Sequence, residues 1–558
     1  MQTLSPLDAS FLHIEDAVTH MHIGSVGIFE GPPPSAEKLC GAIGARLPLV
    51  PRYRQKVRFV PLGLGRPVWV EDPAFDIDYH VRRTALASPG SERELRKLMG
   101  RVMSQQLDRN KPLWEIWVVE GLDKGRWAFI SKSHHAMVDG VAATDLLSVL
   151  LDSQREPEPA PADGWNPPSE PASTALVTHA VAERALSPRE GVRTVLAAVR
   201  GPSRVAREAL SVGRGLMNLG RIAAPGSASS LNGPVGPHRR WNWARGRLAD
   251  VKRIREAYGG TVNDVVLSVI AGGFRTLLLA HDEPVEDRVV RTLVPVSVRA
   301  EEERGTFNNK VSAMFAELPV GIDDPVARLE AIHEQMQELK QSGQAVAAER
   351  LTALGGFAPA MLLALAARVG SRLPQSSVNT VTTNVPGPQR SLYLGGRRML
   401  EAFPFVPVGG SVRIGIAIFS YDGTINFGVT GDAAVEQDIA ILCEAIEQSI
   451  AELLPRKSAR PAARRQNSTR PRSKAAAVPG EDSPGTAAGG RVSVPRDRDD
   501  DYTRQAAHRR REFAKQRTGA SLEHVSAYSF DPQTVAGNVE QFVGVAQVPI
   551  GLAGPAAR

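Results

Sequence analysis

Ser131-Lys132-Ser133-His134-His135-Ala136-Met137-Val138-Asp139-Gly140 sets two histidines side by side, with an aspartate four residues after the second. Three chemistries are open to such a run. A metal site is disfavoured, because neighbouring residues on a strand face opposite ways and no HExxH-type pairing of ligands accompanies them. A helix cap would use Asp139 to accept the first free backbone N–H groups of a following helix, leaving the histidines to satisfy themselves locally. A general base would use His135, since an imidazole with a pKa of about 6.5 takes a proton from a hydroxyl or amine at neutral pH. The attacked group would then be an activated carbonyl such as a thioester. No GxSxG elbow or well-placed nucleophilic cysteine accompanies the histidines, so direct transfer is the simpler scheme.

The flanking patterns say what must position these residues. Residues 112–122, "PLWEIWVVEGL", and 126–133, "RWAFISKS", read as neighbouring strands about a turn at Asp123-Lys124-Gly125. The second strand delivers His134 and His135 to its end, where α/β folds place reacting groups. Residues 141–152 read as a helix with Leu146, Leu147, Leu150 and Leu151 on one stripe. Residues 1–152 thus form an N-terminal α/β domain. Residues 153–235 form a connector, Pro-rich and acidic at first, then basic and amphipathic over 185–224. That basic stretch is read either as a solvated helical linker or as helices lying on an anionic membrane.

A second α/β pattern fills 236–455: helices at 249–258 and 262–281, strands at 288–299 and 309–320, and helical stretches over 324–368. A β-branched segment at 378–388 follows, then a hairpin about Asp422-Gly423 and a helix over 434–454. Residues 456–510 are basic, rich in Pro and Gly and expected to be disordered. From about residue 502 the sequence regains some pattern, but the stretch to 558 is too short for a core of its own.

Bulk properties narrow the function classes. Apolar residues make up 42% of the 558, enough for a large core over most of the chain. The net charge of +7 suits attraction to phosphate groups without pointing to nucleic acid. Cys40 and Cys443 stand far apart, so neither a disulfide framework nor a zinc pattern is expected. The first residues lack a basic start and an apolar core, so no signal peptide is expected. No uninterrupted apolar run approaches the ~18 residues of a spanning helix. A soluble or peripheral protein is the expectation.

Several motifs then coincide. "HHAMVDG" fits HHxxxDG, "LSPLDASFLHIED" (4–16) opens the chain, and Pro112-Leu113-Trp114 forms a PLW element. "NDVVLSVIAGGFR" (263–275), "VPVSVR" (294–299), "TTNVPGP" (382–388) and "GIAIFSYDGTINFGVTGD" (415–432) complete the order. Over roughly 1–455 the chain resembles the bacterial wax ester synthase/diacylglycerol acyltransferase family. That family belongs to the CoA-dependent acyltransferases, with chloramphenicol acetyltransferase and peptide-synthetase condensation domains. The resemblance implies two chloramphenicol-acetyltransferase-like domains packed around a central tunnel, followed by a largely disordered tail. It makes His135 the catalytic base, His134 the adjacent signature histidine, Asp139 the structural aspartate and Gly140 the tight turn. By analogy Arg299 pairs with Asp139. Asn263 and Asp264 form the ND motif and support the site, and Thr261 with Asp264 also fits a capping box. Thr382, Thr383 and Asn384 are candidate donors to a tetrahedral oxyanion, with local strand hydrogen bonding the alternative for each.

The expected activity is acyl transfer from long-chain acyl-CoA to diacylglycerol or a fatty alcohol, giving triacylglycerol or wax ester. Acyl-CoA is substrate, and no separate cofactor or metal is expected. A polyketide, sugar or peptide acceptor is an alternative, as is a non-catalytic lipid-binding scaffold. A cytoplasmic enzyme peripheral to an anionic inner membrane or to lipid inclusions is expected. Finally, "GNVEQFVGVAQVPIGLAGP" (537–555), with Glu540, resembles the start of the hydroxymethylglutaryl-CoA reductase catalytic region. With the rest of that catalytic set missing from the sequence, 511–558 is read as a remnant without reductase activity.

Overall fold

A computed structural model describes residues 1–137, 150–156, 163–186, 230–297, 311–341, 378–455 and 503–518. The chain separates into two compact units, Met1–Ala459 and Arg460–Arg558. Residues 138–149, with Asp139 and Gly140, lie outside the described residues, as do Arg299, most of the basic 185–224 stretch and the reductase-like segment with Glu540.

The first unit begins with β1 (Gln2–Thr3), α1 (Pro6–Ile14), β2 (His22–Phe29), α2 (Ala36–Gly44), β3 (Gln55–Arg58), β4 (Val68–Glu71), α3 (Ile77–His80), β5 (Val81–Ala85) and α4 (Glu92–Met103). Next come β6 (Trp114–Leu122), β7 (Arg126–His134) and α5 (Ser173–Leu186). Local chemistry accounts for the helix starts. Ser5 caps α1 and Pro6 takes its first position, while Ser91 and Glu94 close a capping box on α4. The 112–122 and 126–133 strands are present as β6 and β7, joined through Lys124 and Gly125 with positive φ.

The second half supplies β8 (Arg239–Arg247), α6 (Leu248–Tyr258), α7 (Val262–Ala280), β9 (Val290–Ser297), β10 (Val311–Leu318), α8 (Pro325–Gln341), β11 (Thr380–Pro386) and β12 (Tyr393–Leu394). It ends with β13 (Arg397–Phe405), β14 (Ile414–Tyr421), β15 (Thr424–Asp432) and α9 (Glu436–Leu453). Helix α7 is long and apolar enough to cross a membrane. It is instead the centre of a core with α8, α9 and the inner side chains of β9, β14 and β15. The β14–β15 hairpin turns at Asp422 and Gly423, both at positive φ, as the Asp-Gly pair requires.

Two six-stranded sheets result, in the orders β12-β13-β2-β7-β6-β5 and β10-β9-β11-β14-β15-β8, beside a small β1-β4-β3 sheet. A boundary at residue 236 divides the sequence but not the sheets. β13 comes from the second half and pairs antiparallel with β2 of the first, adding Met399, Ala402 and Phe403 to the N-terminal cores. β8, missed by the sequence reading, sits opposite α4, where Trp241 and Trp243 join the core formed by Leu95, Met99 and Val102.

The second unit contains one described helix, α10 (Arg504–Thr518). It begins at Arg504, at the end of the 456–510 stretch and close to residue 502, where the sequence regains pattern. Thr503 accepts from the Ala506 N–H at 3.1 Å, and a run of Ala, Arg, Glu and Lys behind that cap favours helix despite its charge.

The sheets meet where β14 and β15 pass over β13. Asn426 Nδ2 donates to the Ala402 carbonyl at 2.9 Å, Trp241 Nε1 to Pro404 at 3.1 Å, and the Tyr421 hydroxyl to Met399 at 3.0 Å. At Gly428 the backbones approach so closely that an added Cβ would lie 1.7 Å from the Pro404 carbonyl oxygen. Gly428→Ala should therefore cost about 3 kcal/mol or more. Gly164→Ala, which meets nothing within 4 Å, should change little. Urea unfolding of the two variants beside the parent checks both.

Candidate active site

Helix α1 addresses both histidines. Phe11 and Glu15 stand one turn apart, Glu15 being the residue that ends the helix with its N–H on the Phe11 carbonyl. Phe11 lies against His135, ring centroids 4.2 Å apart, and Glu15 Oε2 is 2.6 Å from His134 Nε2. The histidines can be served separately because β7 is extended and sends them to opposite sides. The strand is held on both flanks up to its end: the His134 N–H donates to Leu113 at 2.9 Å and the His135 N–H to Met21 at 2.8 Å.

His134 has no uncommitted nitrogen. Its Nδ1 accepts the Ala136 N–H at 3.0 Å, so the ring proton is on Nε2 and is donated to Glu15. The pair is buried and joined by Arg109, which donates to Glu15 at 3.2 Å and to the Leu12 carbonyl at 3.0 Å. His22 faces His134 across β2 and β7, its Nε2 3.6 Å from Glu15. Burial alone would raise the Glu15 carboxyl, but the His134 hydrogen bond and the nearness of His22 override it and hold the group below the usual carboxylate range. Burial pushes His22 down to about 3, so it is neutral at physiological pH. Lys132, on the same side of β7, donates to the Val102 carbonyl at 3.0 Å and to that of Gln105, and burial pushes it down to about 8. Glu15, His22, Arg109 and Lys132 were not singled out in the sequence. Glu15 lies within the opening segment "LSPLDASFLHIED", which was the available signal.

His135 contrasts with its neighbour at every point. Its Nδ1 is buried without a partner among the described residues. Burial pushes its pKa down to about 4, opposed by its own backbone carbonyl. The side chain is half-buried and uncharged at neutral pH. Such a group can take a proton from a hydroxyl brought beside it.

The second half faces this point with β11. Alternation puts Thr380, Thr382 and Asn384 on one side. Their cross-strand partners Ile414, Ile416 and Ile418 belong to the core around α7. On that side Thr382 accepts from the Thr292 hydroxyl at 2.8 Å and is buried, while Asn384 Nδ2 donates to Asn263 Oδ1 at 3.2 Å. Thr383 is on the other side with Val385, which packs against the N-terminal cluster containing Ala136 and Met137, also bordered by Phe11. The three candidates therefore divide: two have local structural partners, and Thr383 lies on the face of β11 that borders the N-terminal cluster. Asp264 closes the capping box with Thr261 and pairs with His333 at 2.8 Å, which makes it a helix-start support. The PLW element is core: Leu113 and Trp114 are buried, and Trp114 Nε1 donates to the Tyr53 carbonyl at 2.8 Å. Asp139, Gly140 and Arg299 lie outside the described residues.

The Glu15–His134 hydrogen bond carries a testable cost. Replacing Glu15 by Ala strands a buried N–H and should destabilise the fold by about 2–3 kcal/mol at neutral pH. A carboxyl with a depressed folded pKa stabilises fully above its ordinary value of 4.5. That stabilisation is lost as pH falls toward the folded value, because the unfolded chain binds the proton first. The gap between parent and Glu15→Ala in urea unfolding should therefore be full at pH 7 and narrow as the pH drops below 4.5.

Over most of its length the chain is similar to proteins of one family. Residues 4–266 match the family "Wax ester synthase/diacylglycerol acyltransferase catalytic domain" and 307–454 the "WS/DGAT C-terminal domain". Residues 506–557 match "Hydroxymethylglutaryl-coenzyme A reductase". A Mycobacterium tuberculosis protein named a probable diacylglycerol O-acyltransferase is 36% identical over 468 residues, covering 84% of this chain and 98% of its own length. The wax ester synthase/diacylglycerol acyltransferase of Marinobacter aquaeolei VT8 superposes with a TM-score of 0.57 at 27% identity, covering 81% of this chain and 98% of that one. The starter condensation domain of rhizomide synthetase superposes at 0.53 with 13% identity over 81% of this chain and 94% of its own, a likeness of fold alone. With His135 uncommitted at the end of β7, His134 locked to Glu15, and both family domains matched in order, the chain belongs to the wax ester synthase/diacylglycerol acyltransferase family and is an O-acyltransferase.

Proposed function

We propose that the enzyme transfers a long-chain acyl group from CoA to the hydroxyl of diacylglycerol or of a long-chain alcohol, with His135 as general base. The observation that carries the reading is the division of labour between adjacent histidines. His134 is used up by Glu15 and the Ala136 N–H, whereas His135 is neutral and set against Phe11. In this reading an imidazole nitrogen of His135 removes the acceptor's proton as its oxygen attacks the thioester carbon. The resulting oxyanion collapses, the C–S bond breaks, and the imidazolium returns the proton to the departing CoA sulfur. The thioester is already activated, so positioning and proton transfer are what the protein must add. No separate cofactor is required by that scheme. Thr383 is the side chain of β11 best turned to donate to the oxyanion. The acceptors are named by the relatives and suit the apolar cluster around Phe11, Ala136 and Met137. A peripheral position in the cytoplasm, against the membrane or lipid inclusion that holds such acceptors, follows from their insolubility in water.

Free CoA released from palmitoyl-CoA, followed with a thiol-reactive dye, tests the reading with dioleoylglycerol or hexadecanol as acceptor. Release should depend on acceptor and fall by about 10²–10⁴-fold in His135→Ala with the fold retained. The pH profile adds a second check. The base works unprotonated, and its conjugate acid has a pKa of about 4. The acid limb of kcat/KM should therefore fall well below the 6.5 of an ordinary histidine. Acceptor-independent release, or full activity in His135→Ala, would sink the proposal.

A further inference from the structure

Residues 59–65, Phe-Val-Pro-Leu-Gly-Leu-Gly, leave β3 as a tight apolar turn whose large side chains point outward. Leu62 is 88% exposed, Phe59 43% and Leu64 38%, and on α5, which packs against this turn at Gly65, Val181 is 58% exposed. Leu62 also has φ +58°, a left-handed backbone that Asn or Gly adopts far more readily than Leu. Folding thus gains nothing from a leucine there: the position is strained and the side chain is in water. A run of exposed apolar residues at one tip, in place of single scattered ones, marks a contact surface.

Position and charge identify what it contacts. Leu62, at 88% exposure, projects from the surface. Phe59 lies 6.1 Å, centroid to centroid, from His13 of α1, the helix that sets Phe11 against His135. The surface is therefore continuous, along one helix, with the acceptor's expected position. Its bordering cations are matched by carboxylates: Arg58 by Glu170, Lys56 by Asp72, Arg66 by Glu183, and Arg54 by Asp163. A rim so neutralised does not select an acidic partner.

We infer that the Phe59–Leu64 turn inserts into a zwitterionic phospholipid bilayer and seats the enzyme where a bilayer-borne acceptor can pass along α1 to His135. This rests on the proposed lipid acceptor and names the membrane-contacting surface for it. That surface is distinct from the basic 185–224 segment, whose attraction would be to anionic lipid.

Flotation of the full chain with phosphatidylcholine vesicles carrying dioleoylglycerol tests this, using the parent and a Leu62→Asn, Leu64→Ser variant. Asn accepts the left-handed backbone at 62, so the variant should fold at least as well, checked by thermal unfolding. The parent should float with the vesicles, and the variant's bound fraction should fall by about ten-fold, in keeping with two leucines withdrawn from lipid. Equal flotation of both proteins would overturn the inference. So would no flotation of the parent, flotation that needs phosphatidylserine and is undiminished in the variant, or binding to triolein droplets but not to bilayers. CoA release with a water-soluble alcohol is read in parallel. Equal rates for parent and variant there place any loss at the lipid surface, and silence in both bears on the acyl-transfer reading while flotation still decides the surface.

Discussion

An extended strand sends consecutive side chains to opposite sides, and at the end of β7 this rule governs the active site. His134 goes into a buried polar cluster and His135 into an apolar one, so two chemically identical groups acquire different surroundings. The polar side is costly to build: a carboxylate and a lysine are drawn out of water around it, and Arg109 reaches in from the surface. Each is offset by specific partners. Glu15 accepts hydrogen bonds from His134 and Arg109, and Lys132 donates to carbonyls at the end of α4. The result is a strand end whose last side chain cannot rotate away, because Nδ1 and Nε2 are both engaged. The next residue inherits that fixed origin.

The same constraint explains why the site needs both halves of the chain. The apolar side of β7 is covered by α1, by Leu392 and Leu394 around β12, and by Phe419 and Tyr421 of β14, and of these only α1 comes from the N-terminal stretch. β13 makes this cover possible by joining the first sheet while its carbonyls accept from Asn426, Trp241 and Tyr421 of the second. Removing water from both sides of that seam makes each of these bonds matter, since an unmet carbonyl there has no solvent to turn to. Arg239 extends the tie at the start of β8, buried and donating to the Val18, Gly236 and Val408 carbonyls. The halves are thus joined by backbone groups of strands, which leaves little freedom for one sheet to slide on the other.

How far the sequence revealed this depended on the range of the interaction. Patterns of period two and a turn pair such as Asp422-Gly423 are local, so β6, β7, β14 and β15 were legible, as was the capping box at Thr261 and Asp264. The adjacent histidines were legible as chemistry, and alternation alone disfavoured their ligating one metal ion together. Glu15 was not, because its meaning depends on a contact 119 residues away. β13 could be neither placed nor recognised: Arg397–Phe405 carries charges and Pro404, and only pairing with β2 makes it a strand. β8 was hidden similarly, its tryptophans reading as no particular element until α4 is set opposite. The three β11 candidates were indistinguishable in sequence, and knowing which face of the strand meets α7 separates them.

The apolar setting of His135 raises a question that its neighbour resolves. Desolvation keeps the imidazole neutral, but the general base proposed for this position must become a cation at the moment it works, and the same desolvation opposes that. In bulk apolar surroundings the penalty would cancel the benefit of positioning. Phe11 changes the balance, because an aromatic face 4.2 Å from the imidazole attracts a positive charge and is nearly indifferent to a neutral ring. The ring's own backbone carbonyl acts in the same sense, favouring the protonated form against burial. Both stabilise the imidazolium more than the resting base, which is the differential that lowers a barrier. In the proposed mechanism helix α1 therefore has two electrostatic tasks one turn apart: a carboxylate that fixes His134, and an aromatic face that favours a positive charge on His135.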